Sequence, residues 1–468
     1  MYAGIIITIL SENRNPSKSL AYILVIIFLP VVGLLVYYFV GKKPVFKKPV
    51  FDKKRLIDRQ KMAQYYEQLK PQMEERLQLL ENDIGDMAFP FRYLYYQNQS
   101  LISTGNTVTL LNNGEEMFPA LFTALQNARS HIHLEYYIFT SDDVGNRIAD
   151  ILIDKKKQGV EVRVIVDDVG SNSIKKLPKK FKEAGIQFLK TLPVAFSSLA
   201  NSNYRNHRKI AIIDGVIGFI GGINIDERYW NNGKHALYWR DTAVYIEGSA
   251  VNLLQVQFFL SWFFSGGKDD FGERNRYFNM HPLKKGSAII AIAASGPDSK
   301  VSYVMETILL AISQAKKTIC IATPYFIPTE QLTSALVIAA ANGIKVELIL
   351  PATSDSFIVQ HASFSFIKPL LQRGVNVYLY EKGFIHSKTI SIDSVLSFVG
   401  TVNMDTRSFC LNFEITSIIH EVALCKAMED SFGKDKQSSR LVTLEQWQNR
   451  PVLQRAMDSV CRLLAALL

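Results

Sequence analysis

The chain has 468 residues, 48% of them hydrophobic, and a formal net charge of +10. That length holds two domains of ordinary size, each with its own core, and the charge points to an anionic partner: nucleic acid, acidic lipid headgroups or a phosphorylated substrate. Four cysteines (Cys320, Cys410, Cys425, Cys461) have neither C-x-x-C nor metal-ligand spacing, which excludes a disulfide framework and fits a reducing compartment.

Residues 1–41 read as a membrane anchor. Residues 20–40 carry no charge over 21 positions, about 30 Å as a helix and one hydrocarbon core. Lys42, Lys43, Lys47, Lys48, Lys53, Lys54 and Arg55 follow. By the positive-inside rule they place this flank in the cytoplasm, beside acidic headgroups. A cleaved secretory signal is excluded, because no small-residue site follows and the basic cluster lies on the C-terminal side. Residues 1–10 are apolar but too short to span; they either lie in the interface or end a first spanning helix. Residues 42–85 are a basic juxtamembrane segment, with a charged helix over 56–83 that breaks near Pro71 and lies on a solvated or headgroup-facing surface.

From about residue 86, short β-branched runs alternate with amphipathic helices, the pattern of an α/β fold. Strand SHIHLEYYIF, helix NRIADILIDKKKQG, strand VEVRVIVDD, strand pair HRKIAIIDGVIGFIGG and the long apolar helix VNLLQVQFFLSWFF follow in order. The order then recurs: strand KTICIATPYF, helix EQLTSALVIAAANG, strand IKVELILP, strand pair HSKTISIDSVLSFVGT and strand CLNFEITSIIH. The chain therefore holds two similar halves, 86–270 and 286–468, joined by a polar stretch. A period this long indicates a duplicated domain and no solenoid.

The duplication carries chemistry. His207, Lys209 and Asp214 recur as His386, Lys388 and Asp393, 179 residues on. On a strand, i and i+2 share a face, so each histidine points with its lysine. Each aspartate should face the other way and fix neighbouring backbone or a basic side chain. At the same offset, Gly221-Gly222-Ile223-Asn224 recurs as Gly400-Thr401-Val402-Asn403; glycines permit a tight turn, and an asparagine amide can donate to a phosphate oxygen. A carboxylate follows in each half, Asp241 and Glu414. Each can accept a hydrogen bond from its histidine and fix the tautomer. Together the halves supply two imidazoles, two ammoniums and two amides, a site for a phosphodiester. One neutral histidine attacks phosphorus and the other carries the proton, while the lysines supply positive charge without a metal or other cofactor. His131 and His133 form an H-x-H with no third ligand evident and read as structural.

These paired H-x-K-x4-D motifs, each followed by G-[GST]-x-N, resemble those of the phospholipase D superfamily. With ENRNPSKSLAYILVIIFLPVVGLLVYYFVGKKP, HLEYYIF, TPYFIP and NMDTRSFCLNFE, nearly the whole chain is similar to the bacterial cardiolipin synthases. The resemblance implies two phospholipase D-like α/β halves around one active site. It implies a metal-independent phosphatidyl transfer between two phosphatidylglycerols, giving cardiolipin and glycerol, at the bacterial inner membrane with the catalytic part cytoplasmic. It implies His207 as nucleophile and His386 as acid/base. Lys209, Lys388, Asn224 and Asn403 would hold phosphate, and Asp214 and Asp393 belong to the catalytic motif in a supporting role. The chain departs from the family at Thr353, where a lysine is usual, and at Ser249, where proline is.

The C-terminal stretch places Leu453, Met457, Val460, Leu464 and Leu467 on one helical stripe. That stripe either docks on the protein's own core or lies on the membrane surface. A phospholipid hydrolase is the first alternative to the transferase. A nuclease is the second, and the anchor, which ties the site to acidic lipid, argues against it; no nucleic acid is expected as partner.

Overall fold

The computed structural model describes residues 2–11, 16–28, 30, 31, 33, 72–194, 203–268, 276–279 and 285–463. The first half contributes β1 (Ser103–Asn112), β2 (His131–Tyr136), β3 (Glu161–Asp167), β4 (Gln187–Thr191), β5 (Lys209–Ile213), β6 (Ile217–Gly221), β7 (Trp239–Arg240) and β8 (Thr242–Glu247). The second contributes β9 (Ala288–Ser295), β10 (Thr318–Ala322), β11 (Phe326–Ile327), β12 (Lys345–Pro351), β13 (Asn376–Tyr380) and β14 (Phe384–Ile385). It continues with β15 (Thr389–Ile392), β16 (Leu396–Gly400), β17 (Met404–Asp405), β18 (Glu414–His420) and β19 (Ser439–Val442). Fifteen strands form one mixed sheet, in the order β19-β13-β12-β10-β15-β16-β18-β9-β1-β8-β6-β5-β2-β3-β4. The join is antiparallel pairing of β9 with β1, Ser103 opposite Ile290. Outward from that join the two halves present equivalent strands in the same succession, as the internal repeat requires.

Helices cover both faces, so the strands read as apolar runs buried on both sides. Ile210 and Ile212 of β5 face the helix Ala250–Phe264. The alternate residues Ala211 and Ile213 face the helices Asn113–Gln126 and Asp143–Lys157 on the other side. This period of two fixes which way every polar residue in the strand must point.

Three regions differ from the sequence expectation. At the N-terminus the helices Tyr2–Ser11 and Pro16–Phe28 pack together through Ile9 and Ile26. Of the expected span 20–40, residues 20–28, 30, 31 and 33 are helical. Among the described residues no helix is long and apolar enough to cross a membrane. Residues 34–40 of the expected span and the basic cluster 42–55 lie outside the described residues. Second, of the charged helix expected over 56–83, residues 72–83 do not lie on a solvated surface and 56–71 lie outside the described residues; residues 84–96 pack beside them. Met73, Leu77, Leu80, Phe91 and Leu94 are buried in the core of the second half, with Val304, Ile308 and Ile319. Spacings of three and four residues put Met73, Leu77 and Leu80 on one helical face, and Phe91 and Leu94 on one face of the helix Phe89–Tyr96; burying these faces outweighs the charge of the segment as a whole.

The third is the helix Val452–Leu463. It docks on the helix Phe357–Phe364, but through Asp458 and Cys461, with Met457 packed alongside. The Asp458 carboxylate meets His361 Nδ1 at 2.7 Å and Arg450 Nη2 at 2.8 Å. Leu453 and Val460 of the expected stripe are 76% and 57% exposed. These contacts of Asp458 select a docked face that hydrophobic periodicity does not identify. Leu464 and Leu467 lie outside the described residues.

Candidate active site

Each histidine precedes its strand and is held by the other half. β14 pairs in parallel with β7, Phe384 opposite Trp239 and Ile385 opposite Arg240. Its counterpart is the bridge between Asn206 and Phe413. The His386 N–H donates to Arg240 O at 2.7 Å, and the His207 N–H to Phe413 O at 2.9 Å. These crossed bridges set the two motifs face to face.

The expected carboxylate partners are therefore exchanged between the halves. Asp241 meets His386, with Nδ1 2.6 Å from Oδ2, and Glu414 meets His207, with Nδ1 3.2 Å from Oε1. Both carboxylates are fully buried, while the histidines keep 12% and 18% of their side-chain surface. With Nδ1 turned to the acid, Nε2 of each ring is left to face substrate. Asp241 is fixed by Thr242 N–H at 2.7 Å. Glu414 accepts from the Thr401 hydroxyl and from Asn412 Nδ2.

The small-residue turns now have a reason. A Cβ on Gly222 would lie 2.2 Å from Asp241 Oδ1, and one on Gly221 2.4 Å from Ala243 Cα. In the second half Thr401 stands where Gly222 does, and its hydroxyl binds the longer carboxylate of Glu414.

Lys209 Nζ donates to His207 O at 2.7 Å, and Lys388 Nζ to His386 O. Burial pushes Lys209 down to about 7 and Lys388 down to about 8. Burial likewise holds both histidines below their ordinary value. For His207 the Glu414 carboxylate opposes the shift; for His386, Lys388 adds to it. Each histidine also feels the lysine of the other half. Asn224 receives the Ile138 N–H at 3.1 Å and donates to Tyr229 OH at 2.8 Å, whereas Asn403 Oδ1 is buried without a hydrogen-bond partner.

Asp214 and Asp393 stand apart from this cluster, at the turns that end β5 and β15. Asp214 accepts the N–H groups of Arg129, Ser130 and His131 at 2.8, 2.7 and 2.9 Å. Asp393 accepts those of Lys316, Lys317 and Thr318 at 2.6, 2.8 and 2.7 Å. Each clamps the start of the neighbouring strand, the backbone-fixing alternative of the parity argument. Both adopt positive φ, 54° and 55°, which aspartate tolerates better than most residues. His133 stacks on Phe258 with ring centroids 4.5 Å apart and bonds Gln255. Among the described residues no acid, histidine and cysteine group could hold a metal.

Several side chains around the histidines were not singled out from sequence. Tyr137 lies 4.1 Å from the His207 ring, centroid to centroid. Tyr229, Trp239 and Phe384 surround His386, with Tyr229 OH 3.4 Å from Nδ1. Tyr229 corresponds to Ser408 in the repeat, so the duplication carries no signal for it. Asp226 and Arg228 do recur as Asp405 and Arg407, and that signal was available. Asp226 binds Arg228 with two oxygens, and Arg407 binds Asn203.

The family described as cardiolipin synthase, PLD-like domain, matches residues 121–255 and 308–436, and a phospholipase D-nuclease N-terminal family matches residues 1–42. The cardiolipin synthase of Alkalihalophilus pseudofirmus is 38% identical, covering 100% of this chain and 92% of its own length. The major cardiolipin synthase of Bacillus subtilis is 36% identical, with 99% and 96% covered. Phosphatidylserine synthase of Haemophilus influenzae has the same fold, with a TM-score of 0.61 at 15% identity over 81% of this chain and 98% of that one.

Proposed function

Since the chain belongs to the cardiolipin synthases with phospholipase D-like domains, we propose that it joins two phosphatidylglycerols into cardiolipin and glycerol through a phosphatidyl-histidine intermediate. The observation that carries the mechanism is the crossed pairing of His386 with Asp241 and His207 with Glu414. It leaves two Nε2 atoms on one site, each backed by a buried carboxylate.

His207 Nε2 attacks phosphorus while the P–O bond to glycerol breaks, and His386 gives the departing oxygen its proton. A hydroxyl of the second phosphatidylglycerol then returns a proton to His386 and attacks phosphorus as the P–N bond breaks. In the unliganded site burial favours the neutral form of both imidazoles. The arriving phosphodiester anion favours the protonated form of His386. Lys209 and Lys388 hold the non-bridging oxygens. Asn403 contributes its amide N–H groups, and Asn224 the second N–H of its amide.

Residues 20–40 act as the spanning helix at the bacterial inner membrane, with both halves in the cytoplasm and anionic lipid as partner. The uncharged stretch and the basic residues from Lys42 to Arg55 support this placement.

The test is a product assay. Detergent-purified protein is given phosphatidylglycerol labelled in its terminal glycerol, without divalent metal. Cardiolipin with free glycerol is expected. Phosphatidic acid with glycerol would make the protein a hydrolase, and no lipid turnover would end the lipid reading.

A further inference from the structure

We propose that the helix Val452–Leu463, with the N-terminal end of the helix Phe357–Phe364, is a second membrane contact that lies on an anionic bilayer. On the first helix Val452, Leu453, Val460 and Leu463 are 71%, 76%, 57% and 80% exposed. At 3.6 residues per turn these four, with the exposed Ala456 between them, fall on one face about 100° wide. The opposite face carries Asp458 and Cys461 and is the docked one. A free-standing amphipathic helix would bury its apolar side; this one is pinned with that side outward.

The charges choose the occupant. Asp458 is the helix's one carboxylate, and it is 3% exposed and paired with His361 and Arg450. Arg455 and Arg462 are exposed beside the apolar face. An apolar strip with two arginines along one edge and no exposed acid on the helix fits the headgroup–acyl boundary of an anionic membrane.

The location supports the same occupant. Phe357 and Ile358, 60% and 42% exposed, begin the helix on which this one docks. They follow Asp355, which binds Tyr325 OH at 2.9 Å. Tyr325 in turn lies 6.3 Å from Phe384, ring to ring, two residues before His386. These contacts link the start of that helix to the wall of the His386 site through the interior, Phe384 being fully buried. The contact is separate from the chemistry and stands whether the product is cardiolipin or phosphatidic acid.

The experiment uses the full chain with Cys410→Ser and a bimane-labelled cysteine replacing Leu453 or Val460, reconstituted in phosphatidylglycerol–phosphatidylethanolamine vesicles. Brominated acyl chains should quench both labels about 2-fold or more and leave a label at Glu183 unaffected. Unquenched labels at both positions overturn the proposal. So does a blue shift that needs no vesicles and grows with protein concentration, which would assign the face to a second copy of the chain. Leu453→Glu with Val460→Glu should slow turnover of vesicle lipid about 5-fold or more and leave detergent-dispersed lipid within about 2-fold. Equal effects on the two substrates also overturn it. Quenching needs no turnover, so its outcome is independent of the proposed reaction.

Discussion

His386 Nδ1 lies 2.6 Å from Asp241 Oδ2, an imidazole of the second half oriented by a carboxylate of the first. With His207 and Glu414 related in the opposite sense, neither half holds a complete catalytic pair. Asp241→Asn should leave the fold intact and lower kcat by about 10²–10⁴-fold, because an amide favours the wrong tautomer of His386. Thermal unfolding and steady-state turnover on the same preparation check this. Residual activity near wild type would remove the orienting role.

Gly222 touches no substrate, yet its Cβ would fall 2.2 Å from Asp241 Oδ1. Gly222→Ala should therefore displace the carboxylate and reproduce the loss of Asp241→Asn to within about 10-fold. Combining the two substitutions should cost little more than either alone; additive losses in the double variant would show that they act separately.

The roles of the two histidines separate with a good leaving group. A phosphatidyl ester of nitrophenol needs no general acid, so His386→Ala should still release about one equivalent of nitrophenol in a burst. His207→Ala should give none. The reverse pattern would exchange nucleophile and acid.

The pH profile follows from burial. His207 is held below its ordinary value of 6.5, so the neutral nucleophile persists below that pH, and the acid limb of kcat/KM should fall below 6.5. Lys209 and Lys388, lowered to about 7 and about 8, lose their charge as pH rises through those values. The lysines should then add a loss near 7–8, well below an ordinary lysine, beyond the decline that deprotonation of the acid His386 brings at lower pH. Lys209→Arg, which stays charged, should move that loss upward if the variant retains activity.

Asp214 and Asp393 serve the strands. Asp393→Asn keeps the positive-φ turn but loses one charged acceptor oxygen, and should destabilise by about 2 kcal/mol with kcat/KM at low temperature within about 3-fold. A dead but fully stable variant would place this aspartate in the chemistry.

The duplication and the succession of strands and helices can be read along the chain, as can the recurrence of the histidine, lysine and asparagine positions. Each depends on neighbours along the chain or on repetition at one fixed offset, and both survive in a linear string. Parity turned Asp214 and Asp393 away from the histidines, while the resemblance kept them in the catalytic motif. Only the tertiary structure decided which carboxylate serves which histidine. Asp241 stands 34 residues from His207 and 145 from His386 in the chain, and local reasoning favours the nearer. The pairings of β14 with β7 and of Asn206 with Phe413 carry each histidine across to the other half. Tyr229 has no counterpart in the repeat, so only packing reveals it. The C-terminal helix shows the same limit: periodicity finds its apolar stripe, but the contacts of Asp458 with Arg450 and His361 decide which side the protein keeps and which it turns outward.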